Sequence, residues 1–419
     1  MFTRSSAPAP VTLEPPSTNH GPSEHQSEVL FTRSFVLMLC IQFCFGTSYS
    51  TFFLLPKYLS RQFQASSGAI GAITAIALLA GVTATPFIGR VIDRGARGPA
   101  IAYGALVHGL AAFAFIGVHG IGLPLYLLRA VQGVAYALVF NASVTLAADL
   151  APPKKLSQAI GLCGAAGMVS NAIAPWVAEG IADRQGWGLV FLCAGGTSVL
   201  AALLSFGTGE PRVRAHLLSR DALPSSSALA LVFEPKRFGA FIGGAAAGAG
   251  YGVMFTFTQP FALALGASRV SLFFVGYTLS ALFVRLCLGG LADKLGRRRV
   301  AFGALVLYGL VACMTSELRP DLLFAVGAVL GIAHGLLYPA LNALVVEGVP
   351  RERRGAIISY FSASFYGGYA LSALGAGVLA KSAGYPVVFL LTGLLVWSAL
   401  AFLPRTPRTS RMTRGGLGA

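Results

Sequence analysis

Four ionisable side chains interrupt long apolar runs, and any chemistry would start from them: Arg129, Arg285, His108 and His334. An imidazole near its ordinary pKa of about 6.5 takes up and releases a proton across the physiological range. His334 lies in Gly331-Ile-Ala-His334-Gly335-Leu-Leu-Tyr338-Pro339, where Gly335 and Pro339 could open the run toward a cavity. The competing account of His334, and more so of His108, is a packing residue hydrogen-bonded to a neighbouring run. An arginine is a permanent cation whose planar fork pairs with carboxylate or phosphate. Arg285 lies about 12 Å before Asp293 at the helical rise, too deep for a loop residue. It either faces a cavity as a solute-binding cation or snorkels toward the Asp293 loop. Arg129 is costly in an apolar run without a partner or a wet cavity, and Glu179 is the carboxylate expected to pair with it. None of the 15 Asp and Glu falls near the centre of an apolar run, so proton binding is left to the histidines or to Arg129 with Glu179.

Neutral hydrogen-bonding groups accompany these charges: Gln42, Tyr49, Asn141, Asn171, Gln259, Tyr277 and Tyr366. They suit a polar organic solute, although bonds between packed helices use the same residue types. Enzyme chemistry finds little here. There is no Ser/His/Asp cluster, no His-Glu-x-x-His run and no Gly-rich phosphate loop, and the acids needed for proton transfer are peripheral. The six cysteines all fall in apolar runs without metal-ligand spacing, so no metal, cofactor or disulfide framework is expected.

The elements that position these groups are membrane helices. Of 419 residues, 55% are hydrophobic and 11% charged, where a soluble domain has about a quarter charged. Apolar runs fall near 35–56, 67–90, 99–118, 122–147, 157–181 and 187–207, then 238–262, 270–290, 299–317, 321–346, 355–380 and 384–404. Each is about twenty residues without alternation, which excludes a β-barrel. The 51 glycines suit helices packed closely in lipid. With this assignment 23 of the 31 Lys and Arg lie on the side holding both termini, six lie on the other, and two are Arg129 and Arg285. That bias places both termini in the cytoplasm and, despite a net charge of +16, leaves a nucleic-acid role without support.

The domain reading is a disordered cytoplasmic tail over 1–33, a six-helix bundle over 34–208, a Pro/Ser/Arg-bearing cytoplasmic linker over 209–237, a second bundle over 238–404 and a basic tail over 405–419. The halves repeat one another. Gly289-Gly-Leu-Ala-Asp293-Lys-Leu-Gly296-Arg-Arg-Arg299 has a weaker copy 200 residues upstream in Gly89-Arg-Val-Ile-Asp93-Arg-Gly-Ala-Arg97, each between the second and third runs of its half. Gly133 with Gly331, Asp149 with Glu347, and Pro152 with Pro350 match at an offset of 198. A glycine permits the tight re-entry, the cations hold the cytoplasmic face, and the Asp can dock on the positive N-terminal end of a neighbouring helix.

With these motifs the chain resembles the major facilitator superfamily over roughly 35–404. The resemblance implies an all-α membrane protein of twelve helices in two pseudo-symmetric bundles, working by alternating access. It implies gating roles for Gly89, Asp93, Arg94, Arg97, Gly289, Asp293, Lys294, Gly296, Arg297 and Arg298, although Ala96 stands where the first loop should have Gly. Asp93 would face the eleventh helix near Gly355, and Asp293 the fifth near Ser157. Arg129-Ala-Val-Gln-Gly133 resembles the family segment linked to proton movement, whereas the fifth-helix exporter signature is degraded to Ala174-Pro175 and Ala178-Glu179. The expectation is a monomeric carrier in the cytoplasmic membrane that exports a small organic solute against protons. The alternative is an organic-anion or monocarboxylate uniporter or symporter using Arg285, and more distant ones are a membrane-embedded sensor or enzyme.

Overall fold

The computed structural model describes residues 30–94, 97–152, 155–208, 230–288 and 290–403; Gly289 and the side chains at 93, 94, 157, 293, 351 and 352 lie outside this set, as do both tails and most of the linker. In the first half the helices are α1 Arg33–Phe63, α2 Ser67–Arg94, α3 Arg97–Gly117, α4 Leu123–Leu150, α5 Leu156–Gln185 and α6 Trp187–Ser205. The second half has α7 Pro235–Ala264, α8 Ser271–Cys287, a one-turn helix Leu291–Leu295, α9 Arg297–Thr315 and α10 Leu323–Val346. It ends in one long element, Arg351–Ser398.

Ten helices are long and apolar enough to cross a membrane, among the described residues. One of them, at 49 residues, is roughly 74 Å long and so twice the thickness of a ~30 Å hydrocarbon core. It is broken at Gly384, whose φ of 81° lies in the left-handed region, with Pro386 following. Its arms 351–383 and 385–398 are α11 and α12. Counting these two arms and the shorter α8, the described residues make twelve crossings, as the run lengths predict. α1 bends at a 3₁₀ turn, Phe52–Leu54, because Pro56 has no N–H to give the preceding turn.

The repeat is visible in the packing. α2 lies against α4 in the first half as α8 lies against α10 in the second. In each pair a glycine allows the approach: a Cβ on Gly133 would collide with the Ala77 carbonyl, and one on Gly331 with the Tyr277 carbonyl, 200 residues further on. Lipid is as apolar as leucine, so contact of this kind, rather than burial, holds membrane helices together. Phe87, Tyr103, Leu123, Phe206 and Leu286 accordingly point outward, each more than half exposed. The halves meet along α2 with α11, α5 with α8, and the end of α1 with α7.

Candidate functional site

A cavity lies between the halves, lined by α1, α2 and α4 from the first and by α7 and α11 from the second, and encloses about 930 Å³ with open solvent included. Of the residues lining it, one is charged: Arg129. Its guanidinium lies over the Phe52 ring at 5.8 Å from the centroid, and Nη1 donates to Gln132 Oε1 at 2.7 Å. Three residues apart on a helix, the two side chains share a face. Tyr49 stacks on Tyr136 at 3.9 Å, Phe140 continues the stack, and Phe255, Tyr366 and Tyr369 face them from the second half.

Of the sequence-predicted residues, the cavity gathers Arg129, Tyr49, Asn141 and Tyr366. The others sit elsewhere. Asn171 accepts from Ser50 Oγ at 2.6 Å within the first half, and Gln42 is buried against Gly167. Gln259 donates to the Phe53 carbonyl at 2.7 Å, joining α7 to α1. His108, on α3, is fully buried, with Nδ1 3.2 Å from Ser48 Oγ on α1, and does not line the cavity. His334 is ringed by Tyr251, Tyr277, Tyr308, Tyr338 and Phe365, and its Nδ1 has no hydrogen-bond partner. Arg285 is exposed on α8 and does not line the cavity.

Glu179 corrects one expectation: it does not pair with Arg129. It accepts from Lys57 Nζ at 2.8 Å and from the backbone N–H of Val270 at 2.9 Å and Ser271 at 2.8 Å. Those two N–H groups belong to the first turn of α8, the end of a helix where donors are unused and the dipole is positive. Lys57 also reaches Asp183 at 2.9 Å. Both charged ends of the Lys57–Glu179 pair are nearly inaccessible, at 5% and 2%, and a buried pair holds only when its remaining sites are satisfied as they are here. Lys57 escaped notice because the first apolar run ends at Pro56, while the helix itself continues to Phe63 as an amphipathic segment.

At the position 198 residues beyond Glu179 stands Gly377, whose carbonyl accepts from Ser67 Oγ at 2.9 Å at the start of α2. The repeat thus seals the same end twice, once with the α5 carboxylate accepting from α8 and once with the α2 hydroxyl donating to an α11 carbonyl. The bonds from Ser67 to Gly377, from Gln259 to Phe53 and from α8 to Glu179 all join the halves toward this end, away from the two signature loops.

At the opposite end each signature loop is tied within its own half. Arg97 pairs with Asp149 at 3.1 Å and Arg297 with Glu347 at 3.9 Å, so the matched positions of the repeat form matched ion pairs. Gly296, with a φ of 92°, makes the turn into α9 that only glycine adopts without strain. Gly89 has open space around its Cβ direction, Lys294 is exposed, and Arg298 is half-buried at the start of α9. Asp93, Arg94 and Asp293 by their side chains, and Gly289 entirely, lie outside the described residues.

Known proteins share this architecture. The chain is 26% identical over 372 residues to an MFS-type transporter of Pseudomonas aeruginosa strain UCBPP-PA14, covering 85% of this chain and 89% of that one. It is 24% identical over 271 residues to a cis,cis-muconate transport protein of Acinetobacter baylyi, covering 62% and 64%. The crystal structure of the nucleoside transporter NupG superposes with a TM-score of 0.75 at 14% identity, over 89% of this chain and all of that one. The sequence matches the Major Facilitator Superfamily over residues 38–274 and 240–417, and the chain, a multi-pass membrane protein and not an enzyme, is a member of that family.

Proposed function

We propose that the protein is a secondary active transporter of small organic anions that exports them across a bacterial cytoplasmic membrane by alternating access. The observation that carries this is Arg129, the single charged side chain lining a cavity otherwise walled by aromatic, aliphatic and neutral polar residues. A fixed cation in a site of low dielectric attracts an anion and repels a cation. That supports the anionic solute of the alternative reading, with Arg129 in place of Arg285 as its cation, while keeping the export of the first reading. The Acinetobacter relative is named for an anion, which agrees.

The basic signature-loop end is the cytoplasmic end, by the excess of Lys and Arg there. The end sealed by Glu179 then faces outward, and the conformation described is closed to the outside. The inside-negative potential contributes about 2.3 kcal/mol per charge per 100 mV. It drives an anion outward, and exchange for an entering proton adds to that force. His334, buried in the second half, is the group offered for such coupling. Asp93 and Asp293 close the opposite end in the other half of the cycle, as their loops suggest.

The test is a stability screen of the purified, full-length protein against organic carboxylates, their neutral amides and amphipathic cations. A ligand that prefers the folded state raises the melting temperature. Carboxylates should stabilise, and Arg129→Gln should remove the effect; equal stabilisation by amides or cations would defeat the anion assignment. Export is tested in liposomes holding a stabilising carboxylate: a potential negative on the cytoplasmic-loop side should speed its exit from that side.

A further inference from the structure

Two nitrogen donors on cavity-lining side chains are left without an acceptor: Arg129 Nε and Gln132 Nε2. Neither is a loosely held surface group, for Arg129 is 8% and Gln132 1% exposed. A buried donor without a partner costs about 1–3 kcal/mol, and a protein keeps such groups where something else completes them. The geometry explains why both are donors. Gln132 gives its carbonyl oxygen to Arg129 Nη1 at 2.7 Å, so the amide presents its NH₂, and the guanidinium has only N–H groups to offer. The Phe52 ring beneath the guanidinium holds its plane.

Beside this fork runs the stack Tyr49, Tyr136 and Phe140, whose successive rings are inclined by 20°. Phe255, Tyr366 and Tyr369 line the cavity from the other half. These rings already stack on one another, but all of them line the cavity, and a flat unsaturated solute laid against the aromatic wall gains an offset or edge contact worth about 0.5–1.5 kcal/mol beyond area burial. A flexible alkyl chain gains no such contact.

We infer that Arg129 and Gln132 form a carboxylate-binding fork at the head of an aromatic slot, and that the solute is a planar aromatic or conjugated carboxylate. This deepens the anion reading and rests on it. A carboxylate is acceptor-only and is met by the unpartnered donors of Arg129 and Gln132, whereas the corresponding neutral amide lacks its charge and turns an NH₂ toward one of them. Gln132 is the residue that sets this selectivity beside the charge of Arg129.

Titration calorimetry of the full-length protein in detergent tests the fork and the slot separately, with benzoate, benzamide and hexanoate as probes. Benzoate should bind about tenfold more tightly than hexanoate, with benzamide far weaker, and Gln132→Leu should weaken benzoate about tenfold. The ranking of the three probes on the unmodified protein needs no variant to fold, and the melting temperature of Gln132→Leu shows whether its fold persists. Equal affinity for benzoate and hexanoate overturns the slot, and unchanged benzoate affinity in a folded Gln132→Leu protein overturns the fork; both leave the anion reading standing. Benzamide binding as tightly as benzoate would sink the anion reading itself, and no benzoate binding at about 10 mM overturns the inference outright.

Discussion

Replacing Glu179 by Gln should open the sealed end of the molecule. The carboxylate accepts three charge-assisted hydrogen bonds, from Lys57 at 2.8 Å, Val270 N–H at 2.9 Å and Ser271 N–H at 2.8 Å. Bonds to a charged group are each worth about 1.5–3 kcal/mol and neutral ones about 0.5–1.5, so neutralising the acceptor weakens each by roughly 1 kcal/mol. The Gln amide also presents an NH₂ where the carboxylate offered a second acceptor, leaving one of the α8 donors facing a donor. Lys57 is not orphaned, because Asp183 remains at 2.9 Å, which keeps the loss from growing further. The two bonds to α8 are the ones that join the halves, so about 2–4 kcal/mol of preference for the closed state of this end should vanish. At 1.4 kcal/mol per tenfold, the closed-to-open ratio falls by roughly a hundredfold. Spin labels on the exposed Gln185 at the end of α5 and Ser268 just before α8, one on each half at that end, in a background with the six native cysteines replaced, read the separation by pulsed electron resonance. A longer distance should become dominant in Glu179→Gln. Distributions matching the unmodified protein would show that the carboxylate does not hold the end shut.

Other substitutions separate scaffold from site. Gly331→Val should lower the melting temperature by several degrees, because its side chain meets the Tyr277 carbonyl and overpacking of this kind costs about 1–3 kcal/mol; an unchanged transition would mean that α8 and α10 can part freely. Arg97 with Asp149 is a partly exposed pair, at 19% and 21%, and should be worth less than about 1 kcal/mol. Asp149→Asn should therefore leave the melting temperature within a degree or two while changing transport if loop position matters. His334→Phe fits the surrounding aromatic ring and should fold, yet remove proton-driven flux in liposomes; unaltered dependence on the proton gradient would assign coupling to another group.

The fold was legible because its signals are long. Twenty-residue apolar runs and a duplicated loop survive errors of a few residues at any boundary, and the helices begin and end close to those runs. The site was less legible, for reasons that particular residues display. Arg129 stood out in the sequence, but Gln132 did not, since a glutamine among apolar neighbours gives no hint that its carbonyl is already taken. Lys57 and Glu179 are 122 residues apart and join α1 to α5, while the α8 contribution comes from backbone N–H groups, which no side-chain pattern announces. Arg285 looked deep by arithmetic along the helix, but depth does not say which way a side chain turns.

The repeat also shows where the two halves had to diverge. Positions that set helix spacing match across it, as Gly133 and Gly331 do. Positions that carry chemistry differ: 198 residues beyond Arg129 stands Gly327, beyond Tyr136 stands His334, and beyond Glu179 stands Gly377. Two identical halves would place two cations in one cavity and hold a monoanion symmetrically between them. In the proposed anion carrier, Arg129 in one half alone would fix the anion to the first bundle, and the aromatic wall of the second could close over it and withdraw without stripping its charge. The same asymmetry at the end away from the signature loops gives a seal with one breakable electrostatic contact, Glu179 of α5 on α8, and one neutral contact, the Ser67 hydroxyl of α2 on the Gly377 carbonyl of α11. Glu179→Gln should consequently loosen the α5–α8 side first. Labels at exposed positions flanking that side should then separate more than labels flanking the start of α2 and the end of α11, and equal widening at both would mean that the seal acts as a single rigid unit.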